Sequence, residues 1–215
     1  MVANRNTIPR LCQYKNALLR FKELGFTKIF SEYLADATGS SGAVVRKDFS
    51  FFNITGKKRG GYEIDILLER IKTVLGKNKV QKVILAGAGN LGSALLKYKN
   101  FIKENISIEA AFDLDPAKVS RKSKIPVLPL VEMNDYIAAN GIETGIITVP
   151  ESSAQQVFDL MVSAGISGVL NFSPILLREP KCCVVQNVNL AVALENLIYF
   201  SRLAKKNCVQ SSIAA

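Results

Sequence analysis

The sequence predicts an α/β protein in two parts. An N-terminal winged helix-turn-helix (1–80) precedes a Rossmann-like doubly wound parallel sheet domain (81–188), and a C-terminal interface helix and tail (189–215) follow. Three observations predict this. Apolar residues recur at helical spacing through the first part, then give way to short apolar runs alternating with helical segments. The net charge of +10 is lopsided: residues 1–80 hold 15 Lys/Arg against 7 Asp/Glu, and residues 81–215 hold 13 against 11. A G-x-G-x-x-G run sits directly behind the first apolar strand of the second part.

The first helix starts with Thr7 as N-cap and Pro9 in its first turn, where proline is tolerated. Leu11, Tyr14, Leu18 and Phe21 form its apolar stripe, and Gly25 ends it. Ser31 caps a short second helix, residues 38–41 make a turn, and a third helix covers 42–52. Helix, tight turn, helix is the grammar of helix-turn-helix DNA readers. At 100° per residue, Val45, Phe49 and Phe52 share the core face of the third helix. Ala43, Arg46, Lys47 and Ser50 lie toward the other side, a surface suited to a major groove, and Ser41 in the turn just ahead of the helix is a further DNA-binding candidate. An ordinary amphipathic helix with its charges in water has the same pattern. The next segment favours DNA: Gly56, Lys57, Lys58, Arg59, Gly60, Gly61 and Tyr62 form a glycine-bracketed cationic tip between two extended segments. Such a wing brings Lys57, Lys58, Arg59, Gly61 and Tyr62 to phosphates or a minor groove. A further helix over 64–75 and a linker at 76–79 complete this part.

The second part opens with a strand at 82–86. Gly87, Ala88, Gly89, Asn90, Leu91 and Gly92 follow, then a helix over 93–98. A second strand at 106–112 ends on Asp113, about 20 residues beyond the last glycine, which completes the dinucleotide fingerprint. Gly87 makes the tight turn, Gly89 admits a pyrophosphate to the backbone, and Gly92 packs helix on strand. Asp113 would accept hydrogen bonds from the adenosine ribose and disfavour a 2′-phosphate, a preference softened by Arg121, Lys122 and Lys124. A tight strand-helix turn without ligand is the alternative. Further strands at 144–149, 168–172 and 184–188 alternate with helices at 135–139 and 154–164. Thr148, Val149 and Pro150 end one strand and Asn171 and Phe172 the next, where a doubly wound sheet binds its ligand; plain turn chemistry gives the same residues. The last helix, 189–203, is apolar on more than one face, as in a subunit interface or a core helix of the same chain.

Other classes are excluded or disfavoured. No apolar run reaches 18 residues, and residues 1–6 lack a leader's apolar core, so a cytoplasmic protein without a membrane span is expected. Cys12, Cys182, Cys183 and Cys208 form no C-x-x-C pair, so no metal site or disulfide framework is expected. The chain has no histidine, which removes the commonest general base and metal ligand.

Arg46-Lys47-Asp48, the Gly56–Tyr62 tip, Gly87–Gly92, the run from Phe112 to Pro116, that from Ile147 to Pro150 and that from Gly168 to Pro174 occur in this order. Together they resemble the Rex family of redox-sensing transcriptional repressors, over nearly the whole chain. The resemblance implies a homodimer that binds palindromic double-stranded operator DNA and leaves it when NADH binds, with NAD+ competing for the same site. It also implies a last helix exchanged between subunits, and a charged switch contact that includes a tyrosine corresponding to Tyr98. The chain departs from the family pattern at Val44, where glutamine is usual, and in the wing, where the arginine falls one position later. It departs again at Asn16 and Asn189, which replace the charged members of the switch contact. Two other readings remain open: an NAD-dependent dehydrogenase with a basic appendage, and a nucleotide- or CoA-binding module without redox response. About 130 residues of Rossmann domain leave the dehydrogenase no room for a substrate domain.

Overall fold

The computed structural model describes residues 6–57 and 60–213, with side chains through Lys205. The chain divides into two compact units, Met1–Val80 and Gln81–Ala215.

In the first unit, α1 (Thr7–Glu23), α2 (Ser31–Thr38), α3 (Gly42–Phe51) and α4 (Ile64–Val74) enclose one core. Leu11, Tyr14, Leu18, Leu34, Val45, Phe49, Leu67 and Ile71 are buried in it. Burial of such side chains contributes roughly 1.5–3 kcal/mol each and holds α3 against α1 and α4. Gly39 ends α2 at φ +63°, in the left-handed region that glycine enters without steric cost. Ser41 N-caps α3 by accepting from the Val44 N–H at 3.4 Å. Two expected caps are corrected. Thr7 and Ser31 are the first helical residues of α1 and α2, with Asn6 and Phe30 before them, and neither of those makes a side-chain cap. Ser31 instead turns its hydroxyl to Glu32 and Arg46.

The wing also differs from expectation. β2 (Tyr62–Glu63) pairs antiparallel with β1 (Lys28–Ile29), in the register Ile29 with Tyr62. Among the described residues, no strand runs directly into the tip, and Lys57 and Gly61 meet in a single antiparallel bridge. Lys58 and Arg59 lie outside the described residues.

The second unit is a six-stranded parallel sheet. Its strands are β3 (Gln81–Ala86), β4 (Ile106–Asp113), β5 (Val127–Pro129), β6 (Thr144–Ile147), β7 (Gly168–Asn171) and β8 (Val184–Asn187), ordered β5-β4-β3-β6-β7-β8. This is the doubly wound dinucleotide order, with the chain reversing its direction of progress between β3 and β6. Helices α7 (Met133–Asn140) and α8 (Glu151–Ser163) cover one face through Met133, Ile137, Val157, Phe158 and Met161. The other face packs on α5 (Asn90–Leu96) and on Phe101 of α6 (Asn100–Lys103). The β3 residues from Val83 to Ala86 are buried, as expected of a central parallel strand. Helix α9 (Leu190–Ile213) differs: each of its described side chains is exposed, including Leu194, Leu197, Tyr199 and Phe200. The described residues therefore do not make it a core helix.

Candidate dinucleotide and nucleic-acid sites

The glycine loop lies where β3 and β6 end side by side. Gly87 has φ +97°, and a side chain there would meet the Thr148 backbone at 2.8 Å. A Cβ on Gly92 would come within 1.9 Å of the Gly87 carbonyl oxygen, so only glycine lets α5 start this close to the strand. Gly89 is different, because a Cβ there meets nothing within 4 Å. Its open side is a cradle at the α5 N-terminus, where unpaired backbone N–H groups and the helix dipole favour a phosphate. Ala88, Asn90 and Leu91 complete the loop around it.

Asp113 ends β4 beside this loop. Its Oδ2 accepts from the Ala88 N–H at 2.7 Å, its Oδ1 from the Asp115 N–H at 2.9 Å, and Lys118 Nζ stands 3.3 Å away. Burial pushes the carboxyl up, but the hydrogen bonds from Asp115 and Ala88 and the Lys118 ammonium outweigh it, so Asp113 is held below its ordinary value. The result is an ionised acceptor fixed at one edge of the cradle.

The neighbouring strand ends shape the loop. Thr148 donates its hydroxyl to Gly87 O at 2.7 Å and Ala86 O at 3.0 Å, tying β6 to the turn. Ser173 donates to Val149 O at 2.6 Å, while Phe172 is half-buried on the α5 face of the sheet and Pro150 is exposed just ahead of α8. The Asn171 side chain is fully buried. It donates to Ile175 O and Asn187 Oδ1 at 2.9 and 2.8 Å and accepts from the Ser173 N–H at 2.9 Å. This side chain holds the loop between Asn171 and Ile175. Tyr98 stands just beyond the C-terminal end of α5. It is exposed there, stacks edge-on with Phe101 and accepts a hydrogen bond from Asn100. With Leu95, Phe101, Ile106 and Lys124 it lines a separate groove of about 750 Å3.

In the first unit, Ser41, Ala43, Arg46, Lys47 and Ser50 are all exposed along α3. Lys47 has no carboxylate partner among the described residues, whereas Arg46 donates to Glu32 Oε1 at 2.5 Å and Ser31 Oγ at 2.7 Å. In the wing, Lys57 pairs with Glu63 at 3.0 Å. Gly61 is required because a Cβ would lie 2.6 Å from Ile29 O. Tyr62 is half-buried, with its ring edge-on to Phe49 at 5.1 Å. It anchors the wing to the core through this ring contact.

A CoA binding domain model matches residues 78–175, and a model described as putative DNA-binding protein N-terminus matches residues 4–50. A redox-sensing transcriptional repressor Rex of Streptococcus agalactiae serotype Ia is 40% identical over 197 residues, covering 90% of this chain and 94% of the relative. Rex of Syntrophobacter fumaroxidans is 39% identical, covering 90% and 93%. The chain belongs to the Rex family. Rex of Listeria monocytogenes is 41% identical, covering 90% and 91%. The fold agrees with solved Rex-family structures. RSP in complex with beta-NAD+ and operator DNA superposes with a TM-score of 0.89 at 30% identity, over 98% of this chain and 97% of that one. RSP in complex with beta-NADH gives 0.85 at 30% identity, over 98% and 99%.

Sequence reasoning missed one structural group of this Rex chain. Asp48, on the core side of α3, is buried and accepts from Arg10 Nε and Nη2, both at 2.6 Å, and from the Tyr14 hydroxyl at 3.0 Å. The Asp48 carboxylate holds the Arg10 guanidinium firmly protonated, against the opposing pull of desolvation. The signal was present: a carboxylate three positions after Val45 falls on the apolar stripe and needs a cationic partner.

Proposed function

We propose that this chain is a transcriptional repressor that binds palindromic operator DNA as a homodimer and releases it when NADH occupies the glycine loop, with NAD+ competing for that loop. One observation carries the reading. Asp113 is fixed on the Ala88 N–H at the edge of a cradle whose Gly89 side is open, in a chain whose other unit exposes the Arg46-Lys47 face of α3. Asp113 orients the adenosine ribose, and the backbone from Gly87 to Gly92 receives the pyrophosphate. Thr148, Val149, Pro150 and Phe172 border the nicotinamide end. Lys47, Arg46, Ala43, Ser50 and Ser41 address the groove, and Lys57, Lys58 and Arg59 the phosphates. The exposed apolar α9 supplies a subunit interface. RSP, related over nearly the whole chain, has been solved with beta-NAD+ and operator DNA and with beta-NADH. No helix among the described residues is long and apolar enough to cross a membrane, and operator binding places the protein with the chromosome in the cytoplasm.

NADH and DNA then favour different arrangements of the dimer and oppose each other by about 1–3 kcal/mol, roughly 5- to 150-fold in affinity. The test is fluorescence anisotropy of a labelled palindromic duplex from upstream of the protein's own gene, titrated with NADH and with NAD+. Release by NADH at far lower concentration than NAD+ is expected. Binding that neither dinucleotide disturbs would show that the switch fails with Asn16 and Asn189 in place. Turnover of NADH with an added carbonyl substrate would favour the dehydrogenase.

A further inference from the structure

Of the two cations that α3 presents, one is not free. Arg46 Nη1 is held by Glu32 Oε1 at 2.5 Å and by Ser31 Oγ at 2.7 Å, and Ser31 in turn donates to Glu32 Oε2 at 3.0 Å. The backbone makes room for this triad. A Cβ on Gly42, the first residue of α3, would lie 2.8 Å from Glu32 Oε1 and 3.1 Å from Arg46 Nη1, so glycine leaves the notch in which the pair sits. Both side chains remain more than half exposed. Only the Nη1 end of the guanidinium is engaged; its Nε–Nη2 edge makes none of these bonds. That edge is a two-donor fork of the kind that pairs with guanine O6 and N7.

We propose that Glu32 is a specificity-determining residue for DNA: it clamps one end of Arg46, aims the free edge at a base, and repels the phosphates that Arg46 would otherwise bind. This inference rests on the operator-binding reading above. Affinity for arbitrary DNA comes from phosphate neutralisation, whereas base contacts carry sequence. A carboxylate beside Arg46 cancels the attraction to phosphate and leaves the directional base contact in place. Lys47, without such a partner among the described residues, supplies the sequence-independent share. The Arg46 hydrogen bond also lowers the Glu32 carboxyl below its ordinary value, so the guard stays ionised at neutral pH.

The test compares the full-length wild type with Glu32→Gln and Glu32→Asp. Each is titrated against sheared calf thymus DNA and against a duplex selected from a random pool by the wild type, over a range of salt. Glu32→Gln should bind calf thymus DNA about three- to tenfold more tightly at low salt, with the log K against log salt slope steeper by about 0.9. Its affinity for the selected duplex should change less, so the specificity ratio falls. Glu32→Asp keeps the charge on a shorter arm. It should leave calf thymus binding as in wild type and weaken the selected duplex. An exposed pair contributes little to folding, so both variants should fold. If Glu32→Gln moves both DNAs by the same factor, or neither, Glu32 has no such role; Glu32→Asp behaving as wild type on both refutes the aiming step. If the wild type selects no duplex and binds neither DNA, the operator-binding reading itself fails.

Discussion

Replacing Asp113 with alanine isolates the group on which the proposed dinucleotide site depends. Its side chain is only 9% exposed, so solvent screens its hydrogen bonds weakly. The carboxylate already accepts from two backbone N–H groups and faces Lys118 at 3.3 Å, so it meets a ribose without reorganisation. Hydrogen bonds to a charged group contribute about 1.5–3 kcal/mol, and each 1.4 kcal/mol is about tenfold in affinity. Asp113→Ala should therefore weaken NADH binding roughly 10- to 100-fold. It should also narrow the preference for NADH over NADPH, because Lys118 is left to meet a 2′-phosphate. The chain has no tryptophan, so titration can follow the fluorescence of NADH itself. An NADH Kd within twofold of wild type, with an unchanged NADPH ratio, would refute this placement of the ribose.

Three further outcomes are expected. Gly92→Ala forces a methyl to within 1.9 Å of Gly87 O and should cost about 1–3 kcal/mol in a urea melt and abolish NADH binding, while operator binding without dinucleotide persists. Asp48→Ala removes the acceptor of the buried Tyr14 hydroxyl and leaves a largely buried Arg10 without its carboxylate, and should destabilise the first unit by about 2–4 kcal/mol, seen as loss of operator binding at temperatures where NADH still binds. Asp113, held below its ordinary value, contributes stability that is fully present above the unfolded aspartate range near ~4 and is lost as the pH falls through the folded value; acid melts of wild type and Asp113→Ala should therefore converge only at low pH.

What was legible in the sequence follows from how local each cause is. Buried parallel strands read as unbroken apolar runs, so β3, β4, β6 and β7 stood out, and Gly87 and Gly92 announce a steric demand that no other residue meets. β5 did not stand out: it is three residues, Val127–Pro129, directly after Pro126, and it forms on the edge that Ala111, Phe112 and Asp113 offer. α6, a single turn, carries no period to read. The wing was half legible. Its glycines mark the turn, but the partner of β2 is β1, far upstream, and nothing local in Tyr62-Glu63 names Lys28-Ile29.

The same distinction divides residues that face a ligand from residues that hold those that do. Helical period assigns Arg46 to the outer face of α3, where it is exposed. Period does not reveal that Glu32 takes one end of Arg46, or that Arg10 comes 38 residues along the chain to meet Asp48. Asn171 and Tyr62 make the point from the other side. Each sits in a segment that faces a site, and each directs its side chain inward, into the loop and onto Phe49. A motif places the backbone of a site; the long-range partner of each side chain decides whether that side chain touches the ligand or fixes a neighbour that does. In this chain such partners bind both Arg46 and Asp113 before any ligand arrives. Arg46 meets a partner 14 residues away that no local pattern contains, whereas Asp113 takes one bond from the Asp115 N–H beside it and one from Ala88 in the glycine run; holding either group in place before binding reduces the ordering cost.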